Sequence, residues 1–335
     1  MATTYLTLTN SVLRELNETE LTSSTFSSSR GIQTAIKDFI NKGIHDVYNE
    51  TGEIPLLYAR TTQDLTIGDN EYSFPADFRK ADMDSFSMAP RQLVTNGEFA
   101  SNINSWSTVA GAGSAAYTST GNGRLRLNDF AAYQAIDTTV NKTYKIQVRV
   151  LDTNSVGAAL KVQVGTAAEG TQNLNTTLTV TNFREGAILN TTFTATAQTS
   201  FITLNNTVTT TNLDVDYVRI SRSDLATRKL SYVTYDSYLQ NNKPTDDTNA
   251  SSNYSTPLRV YILPDHSAFG VSPRPNTNEF TASYDYYTTH TDLSAHGDNM
   301  SLPDRFRTLI VDRAKYYTYM LRSDPQHAQL ADRDF

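Results

Sequence analysis

Cysteine is absent from the 335 residues of the chain, which removes disulfides, thiolate nucleophiles and cysteine-based zinc sites together. Long apolar runs are lacking too. No stretch approaches the ~20 residues that cross a bilayer, and the opening MATTYLTLTN has neither the basic nor the apolar region of a secretory signal. A soluble protein is expected, with no membrane partner and no export by that route. Positive charge is in short supply: 28 Lys and Arg against 35 Asp and Glu give a formal charge of -7. A surface that grips DNA needs clustered cations, although passing contact with DNA is compatible with this balance. Catalytic signatures are missing as well, with no phosphate-cradling Gly-rich loop, no H-E-x-x-H and no G-x-S-x-G. The expectation is a protein that is not an enzyme. What is present is globular in composition, 38% hydrophobic with 19 Tyr and 14 Phe, in a chain longer than single cores usually grow. Two folding units are therefore expected.

A second set of absences lies inside the chain. Proline, histidine and methionine are all missing between Arg91 and Arg222, where threonine dominates and the single tryptophan, Trp106, is found. The periodicity there is two, as in Tyr144 to Val150, Leu160 to Val164, Thr191 to Ala195 and Phe201 to Leu204, the pattern of half-buried strands joined by Asn, Gly and Thr turns. Residues 91–222 thus read as a β-sandwich inserted into a host domain formed by residues 1–90 and 223–335. The insert carries ten Lys and Arg against eight Asp and Glu, so its +2 leaves about -9 on the host. Because its composition is self-contained, the insert is expected to be removable without loss of the host fold.

The host reads as helices at both ends and a sheet between them, an α+β arrangement. Leu8, Val12, Leu13 and Leu16 mark a short helix over Leu6 to Asn17, and Ile32, Ile36, Phe39, Ile40, Ile44, Val47 and Tyr48 mark a longer one, with Ser28 or Ser29 as cap and Thr51-Gly52 as stop. Asp64 to Ile67 and Glu71 to Phe74, around Gly68-Asp69-Asn70, predict a β-hairpin, Ala76 to Asp82 a turn, and Met83 to Met88 a strand. Further strands are predicted at Lys229 to Tyr235, Arg259 to Leu263, Phe269 to Pro273 and Phe280 to Tyr287, with Asn241 to Ser255 as a polar loop. The strands on either side of the insert should pair with each other. The last helix has Phe306, Leu309, Ile310, Ala314, Tyr317 and Leu321 on one stripe, opened by the capping pair Ser301 and Asp304. Asp324-Pro325 interrupts it. A second run from Gln326 holds only Ala328, Leu330, Ala331 and Phe335 as apolar groups, too little to offset ~1–2 kcal/mol of backbone entropy per residue, so the tail is expected to be loose in the free subunit.

Three constellations invite chemistry. Asp265-His266-Ser267 has the residue types of a nucleophile triad, but adjacent residues cannot converge as such a relay requires. His290, Asp292, His296 and Asp298 are types that hold divalent ions, weighed against a polar loop ahead of a helix. Tyr284, Tyr286, Tyr287, Tyr316, Tyr317 and Tyr319 fit stacking on a ligand less well than core and interface roles. Arg305, Arg307, Arg313, Lys315 and Arg322 alternate with Asp304 and Asp312, which reads as an ion-paired helix face and not as a nucleic-acid patch.

The segments TTYLTLTNSVLRELNE, SRGIQTAIKDFINKGIHDVYNE, YSFPADFRKADMDSF, RKLSYVTYDSYL, AFGVSPRP and LPDRFRTLIVDRAKYYTYMLRSD, in that order, resemble the head-to-tail adaptors of tailed bacteriophages. The resemblance spans Met1 to about Pro90 and Asp224 to Phe335. It implies a virion protein at the head–tail junction, assembled in the host cytoplasm as a homo-oligomeric, usually dodecameric, ring beneath the portal protein. A downstream neck or tail partner (nozzle, connector or tail terminator) would attach to it, and genomic DNA would pass an acidic lumen without specific binding. Portal contact is then expected from Tyr316, Tyr319, Arg322, Leu330 and Phe335 in the C-terminal segment, with Leu330 and Phe335 as anchors. The insert has its own resemblance. Asn96-Gly97-Glu98-Phe99, Ser105-Trp106, Tyr133-Gln134 and Leu213 to Ile220 look like a galactose-binding-like jelly roll of the carbohydrate-binding-module type. That resemblance implies no cofactor beyond a possible structural Ca²⁺ on Glu98 and Asp216. It also supplies the alternative function, a glycan- or receptor-binding tail protein working through the jelly roll.

Overall fold

The computed structural model describes residues 3–51, 57–109, 113–119, 123–152, 159–180, 186–206, 212–248, 250–300 and 302–334. Helices α1 (Tyr5–Glu15) and α2 (Ile32–Thr51) precede strands β1 (Tyr58–Leu65), β2 (Glu71–Ser73), β3 (Phe78–Ala81) and β4 (Ser87–Pro90). Next come β5 (Ser107–Thr108), β6 (Ser114–Thr118), β7 (Arg124–Asn128), β8 (Ala131–Asp137), β9 (Thr143–Asp152), β10 (Ala159–Gly165), β11 (Leu174–Thr179), β12 (Ala187–Thr194), β13 (Thr199–Asn206) and β14 (Asn212–Arg222). The chain then forms β15 (Arg228–Lys229), β16 (Ser231–Tyr232), α3 (Tyr235–Asn241), α4 (Lys243–Asp246), β17 (Arg259–Ile262), β18 (Ala268–Ser272), β19 (Phe280–Thr288), α5 (Arg307–Leu321) and α6 (Pro325–Asp334). No described helix is long and apolar enough to cross a membrane.

Two compact units result. One comprises Met1–Thr61, Phe74–Met83 and Tyr284–Phe335, the other Thr62–Ser73 and Asp84–Ser283. In the first, α1, α2 and α5 share a core. Ile36, Ile40, Ile44 and Val47 recur along α2 at helical spacing and are buried with Leu8, Val12 and Leu13 of α1 and Ile310, Val311 and Ala314 of α5. Gly43 lets two of these helices approach closely, because a β-carbon there would lie 3.2 Å from the Ile310 carbonyl oxygen. The start of α1 is capped by Thr4, whose hydroxyl accepts from the Thr7 N–H at 3.2 Å. Its other free donors are met by the 296–298 segment, with Tyr5 N and Leu6 N giving to the carbonyls of Asp298 and His296. The predicted cap Ser301 lies outside the described residues. Asp304 instead accepts from Thr3, at 3.2 Å from its N–H and 2.7 Å from its hydroxyl, joining the two ends of the chain.

The second unit contains the sandwich. Two antiparallel sheets, ordered β11-β10-β13-β8-β5 and β12-β9-β14-β7-β6, exchange the chain at nearly every connection from β8 to β14, the jelly-roll arrangement. Leu125, Leu127, Ile146, Val148 and Val150 from one sheet meet Leu160, Val162, Val164, Ile202 and Leu204 from the other in a closed core. Phe99 and Trp106, with ring centroids 5.6 Å apart, also pack into it. A four-stranded sheet, β16-β17-β18-β2, belongs to the same unit. The strands flanking the insert do pair, β2 with β18, β4 with both β15 and β19, and β3 with β19. The fold is α+β, with terminal helices, short host strands and an all-β sandwich.

Local expectations fail in several places, among them Met83 to Met88, where a turn occupies the start and the strand begins only at Ser87. Asp64 to Phe74 is no hairpin, since β1 runs beside β19 while β2 adds to β18 in another sheet. The predicted turn at 76–82 contains β3, held on β19 through Tyr286 and Tyr287. Lys229 to Tyr235 breaks into β15, β16 and the start of α3, with β16 parallel to β17, and the polar loop after it contains α4. The buried side of α5 is Ile310, Val311, Asp312, Ala314 and Thr318, rotated from the expected stripe, so that Leu321 is 57% exposed.

Candidate interaction surface

The C-terminal helices gather the residues expected to make partner contacts, and their roles divide sharply. Tyr319 stacks on His327 of α6 at 5.3 Å between centroids, and Tyr316 receives the Arg313 guanidinium at 4.9 Å and the Tyr317 ring edge-on at 5.2 Å. Arg322 pairs with Glu18. Those three side chains are therefore engaged within the subunit, while Leu330 stands 48% exposed and Phe335 lies outside the described residues. Two more apolar side chains join Leu330 on this helical hairpin, Met320 at 52% and Leu321 at 57% exposure. Sequence reasoning missed both, because Leu321 was assigned to the buried stripe and Met320 to none.

The tail itself is a packed helix and not the loose segment expected. Asp324 caps α6, accepting from His327 N at 3.2 Å, and Ala328 and Ala331, three residues apart, are buried at 1% and 5%. Small side chains at that spacing let helices approach closely, and the area expected to be too small is supplemented by Arg313, which bridges Asp46 and Asp332 at 2.7 Å each. The remaining basic residues of α5 are similarly committed. Lys315 lies 2.6 Å from Glu15 and 2.5 Å from Asp312; burial lowers its pKa, but the bonds to Asp312 and Glu15 outweigh this and raise it. Arg307 donates to Ser11 at 2.8 Å. The helix face is an internal ion-pair lattice with an apolar margin. Tyr284 and Tyr286 are core residues, and Tyr287 meets Tyr58 edge-on at 5.2 Å.

The SU10 adaptor protein family profile matches residues 3–150 and 158–335. The chain belongs to this phage-related adaptor family. No curated protein matches it. Among solved structures, the CBM22-1 xylan-binding domain of Paenibacillus barcinonensis Xyn10C is similar at 14% identity and a TM-score of 0.33, covering 41% of this chain and 98% of that one. The enzymatically active domain of tailspike protein 4 of bacteriophage CBA120 is similar at 14% identity and a TM-score of 0.32, covering 39% of this chain and 21% of that one.

In the adaptor, the candidate metal ligands are otherwise occupied. Glu98 takes the Arg219 guanidinium through two bonds of 2.6 and 3.1 Å, and Asp216 accepts from Arg149 at 3.1 Å. A Ca²⁺ ion requires several free oxygens, and among the described residues no three His, Cys, Asp or Glu groups form a metal cluster; the donor set does not fit the ion. Asp298 closes its own loop on Ser294 N and Ala295 N, both at 2.7 Å, and Asp292 bonds His45 at 2.7 Å. Ser267 donates through its N–H and hydroxyl to Asp265 in a local turn.

His290 is 7% exposed beside the edge of His45 at 5.6 Å, and its pKa falls to about 4, chiefly from burial, then from His45, against the opposing pull of Asp292. An unfolded histidine binds its proton near pH 6.5, so between these values the unfolded state holds the extra proton and stability drops as pH falls. The loss through that window is up to about 3 kcal/mol. Thermal scans from pH 7 to 4 should show His290→Gln with a flatter profile than the native chain. Superimposable profiles would remove His290 as the cause.

Proposed function

We propose that this adaptor is a structural, non-enzymatic virion protein of the head–tail junction. It assembles in the host cytoplasm into a ring, docks beneath the portal through its C-terminal helices, carries the next neck or tail component, and continues the DNA channel. The observation that supports the reading best is the apolar margin of Met320, Leu321 and Leu330 on helices whose charges are already satisfied internally. Such a margin serves a protein partner, since apolar anchors beside paired charges are what interface cores contain. The host's charge of about -9 is proposed to face the lumen and keep DNA from sticking. Negative-stain images of the purified protein should show rings that cap isolated portals. Fibres or trimers, with no portal association, would overturn the proposal.

The glycan-binding alternative would need an open groove on the sandwich. On the outward side of the β10–β13 pair, Thr203 and Gln163 are buried because Glu169 lies over them, its N–H giving to Thr203 Oγ1 at 2.8 Å and its carbonyl accepting from Gln163 at 3.0 Å. A β-carbon on Gly165 would sit 2.2 Å from Gln172 Oε1. The β10–β11 loop thus fills the middle of that face, so this sheet offers no groove to a glycan, and for the helical unit's apolar margin the structural role is preferred.

A further inference from the structure

The opposite sheet of the sandwich presents a different surface. Alternation along its strands turns Arg124 and Arg126 of β7, Lys145 and Arg149 of β9, and Asp214 and Arg219 of β14 outward, with Asp216 at a bulge in β14. Together with Glu98, this face carries five cations and three anions, and the rest of the insert carries five of each. All of the insert's net positive charge therefore resides here.

Within the face, three guanidinium groups share two carboxylates. Asp214, fully buried, takes both bonds of Arg126 at 2.8 and 3.0 Å, and Asp216 takes Arg149 at 3.1 Å. Arg124 is left between them. Its side chain lies 3.8 Å from Asp214 and 4.0 Å from Asp216, beyond hydrogen-bond length, and makes no side-chain hydrogen bond among the described residues. Its Nε and that of Arg149 are buried without an acceptor, although the two side chains are 18% and 39% exposed overall. A buried donor left unmade is costly, and a guanidinium fork fits the two oxygens of a carboxylate or sulfate.

We propose that Arg124, assisted by Arg149, forms a binding site for an oxyanion, a carboxylate or sulfate group reaching this sheet from solvent. The acidic side chains around it fix the guanidinium groups and hold the two Nε atoms out of reach of solvent, so an incoming oxyanion meets the exposed remainder of the Arg124 and Arg149 guanidinium groups. The position that resemblance gives to a cation, Asp216, is thereby part of an anion site. The group can arrive as a free inorganic ion or as a substituent of an acidic polysaccharide.

The test uses the full-length protein and its Arg124→Gln, Arg149→Gln and Lys161→Gln variants, the last on the other sheet. Sodium sulfate raises the Tm of most proteins by exclusion, so the readout is the difference between chains at matched sulfate and matched ionic strength. The native chain and Lys161→Gln should gain more than Arg124→Gln, with half-saturation at least tenfold weaker in Arg124→Gln and intermediate in Arg149→Gln. Retention on immobilised dextran sulfate or polygalacturonate, compared with neutral dextran, should follow the same order if a polysaccharide is the source; a sulfate response without polymer retention assigns the site to free ions. Because Arg124 makes no close bond, its loss should leave the fold intact. Equal sulfate responses in all four chains, together with polymer retention unaffected by Arg124→Gln or weakened equally by Lys161→Gln, would overturn the site.

Discussion

Glu279→Ala should lower the stability of the sandwich-containing unit by about 3–5 kcal/mol, the range for removing one partner of a buried ion pair. The side chains of Glu279 and Arg222 are 8% and 10% exposed and lie 2.7 Å apart. Arg222 is further held by Asp224 through bonds of 2.6 and 2.9 Å, and Glu279 accepts from Thr277 at 3.1 Å and from the Tyr144 hydroxyl. Burial, then the bond to Glu279, pushes the Tyr144 hydroxyl up to about 12, so it keeps its proton and donates. Alanine would leave Arg222 charged and buried with only Asp224 facing it. Tyr144→Phe removes two bonds, the one given to Glu279 and the one accepted from the Thr139 N–H at 2.6 Å, and should cost about 2 kcal/mol, while Arg222→Met with Glu279→Leu should recover most of the loss because no charge is stranded. Trp106, 6% exposed in the sandwich core, is the single tryptophan and reports urea unfolding directly. A loss under 1 kcal/mol for Glu279→Ala would show that water or a neighbour already satisfies Arg222.

This network changes the outlook for the insert. Composition suggests a self-contained domain that can be excised between Arg91 and Arg222, yet the cut removes both Arg222 and Tyr144 from Glu279, which remains in the host strands. Nothing local in the sequence marks Glu279, because its partners lie 57 and 135 positions away. The strands of the sandwich were legible for the opposite reason. Runs of seven or eight residues alternate fully between core and outward positions, so the period itself states the fold. The host strands β2, β3 and β4 have three or four residues, too short to show a period, and take their partners from across the insert; that is why the sequence predicts a hairpin around Gly68-Asp69-Asn70 where two sheets exist. On α5, residue type misled. Asp312 and Thr318 are buried at 7% and 0%, made tolerable by Lys315 at 2.5 Å and by a bond from the Thr318 hydroxyl to the Ala314 carbonyl at 2.8 Å, and the stripe turns to include them at the expense of Leu321. The division of the C-terminal segment into two helical runs around Asp324-Pro325 was legible; which side chains they leave exposed was not, because that depends on where α6 lies.

Replacing Met320, Leu321 and Leu330 together by aspartate should abolish portal capture while leaving the subunit folded. Each side chain is about half exposed, and surface changes of this kind usually alter stability by less than about 0.5 kcal/mol each. At an interface, an apolar anchor is worth on the order of 2 kcal/mol; three charged replacements should weaken binding by more than about 100-fold even if only two of the three are anchors. Ala328→Asp provides the contrast. Ala328 is 1% exposed, so a carboxylate there has no room and no cation assigned to it, and α6 must leave α5, breaking the Arg313–Asp332 pair and the Tyr319–His327 stack. That variant should lose both portal capture and several degrees of Tm, whereas the triple variant should lose capture alone. Sedimentation of purified portal with each variant, beside thermal scans of the variants by themselves, separates the two. If the triple variant still caps portals at native concentration, the apolar margin is not the docking surface, and attachment must run through another part of the helical unit.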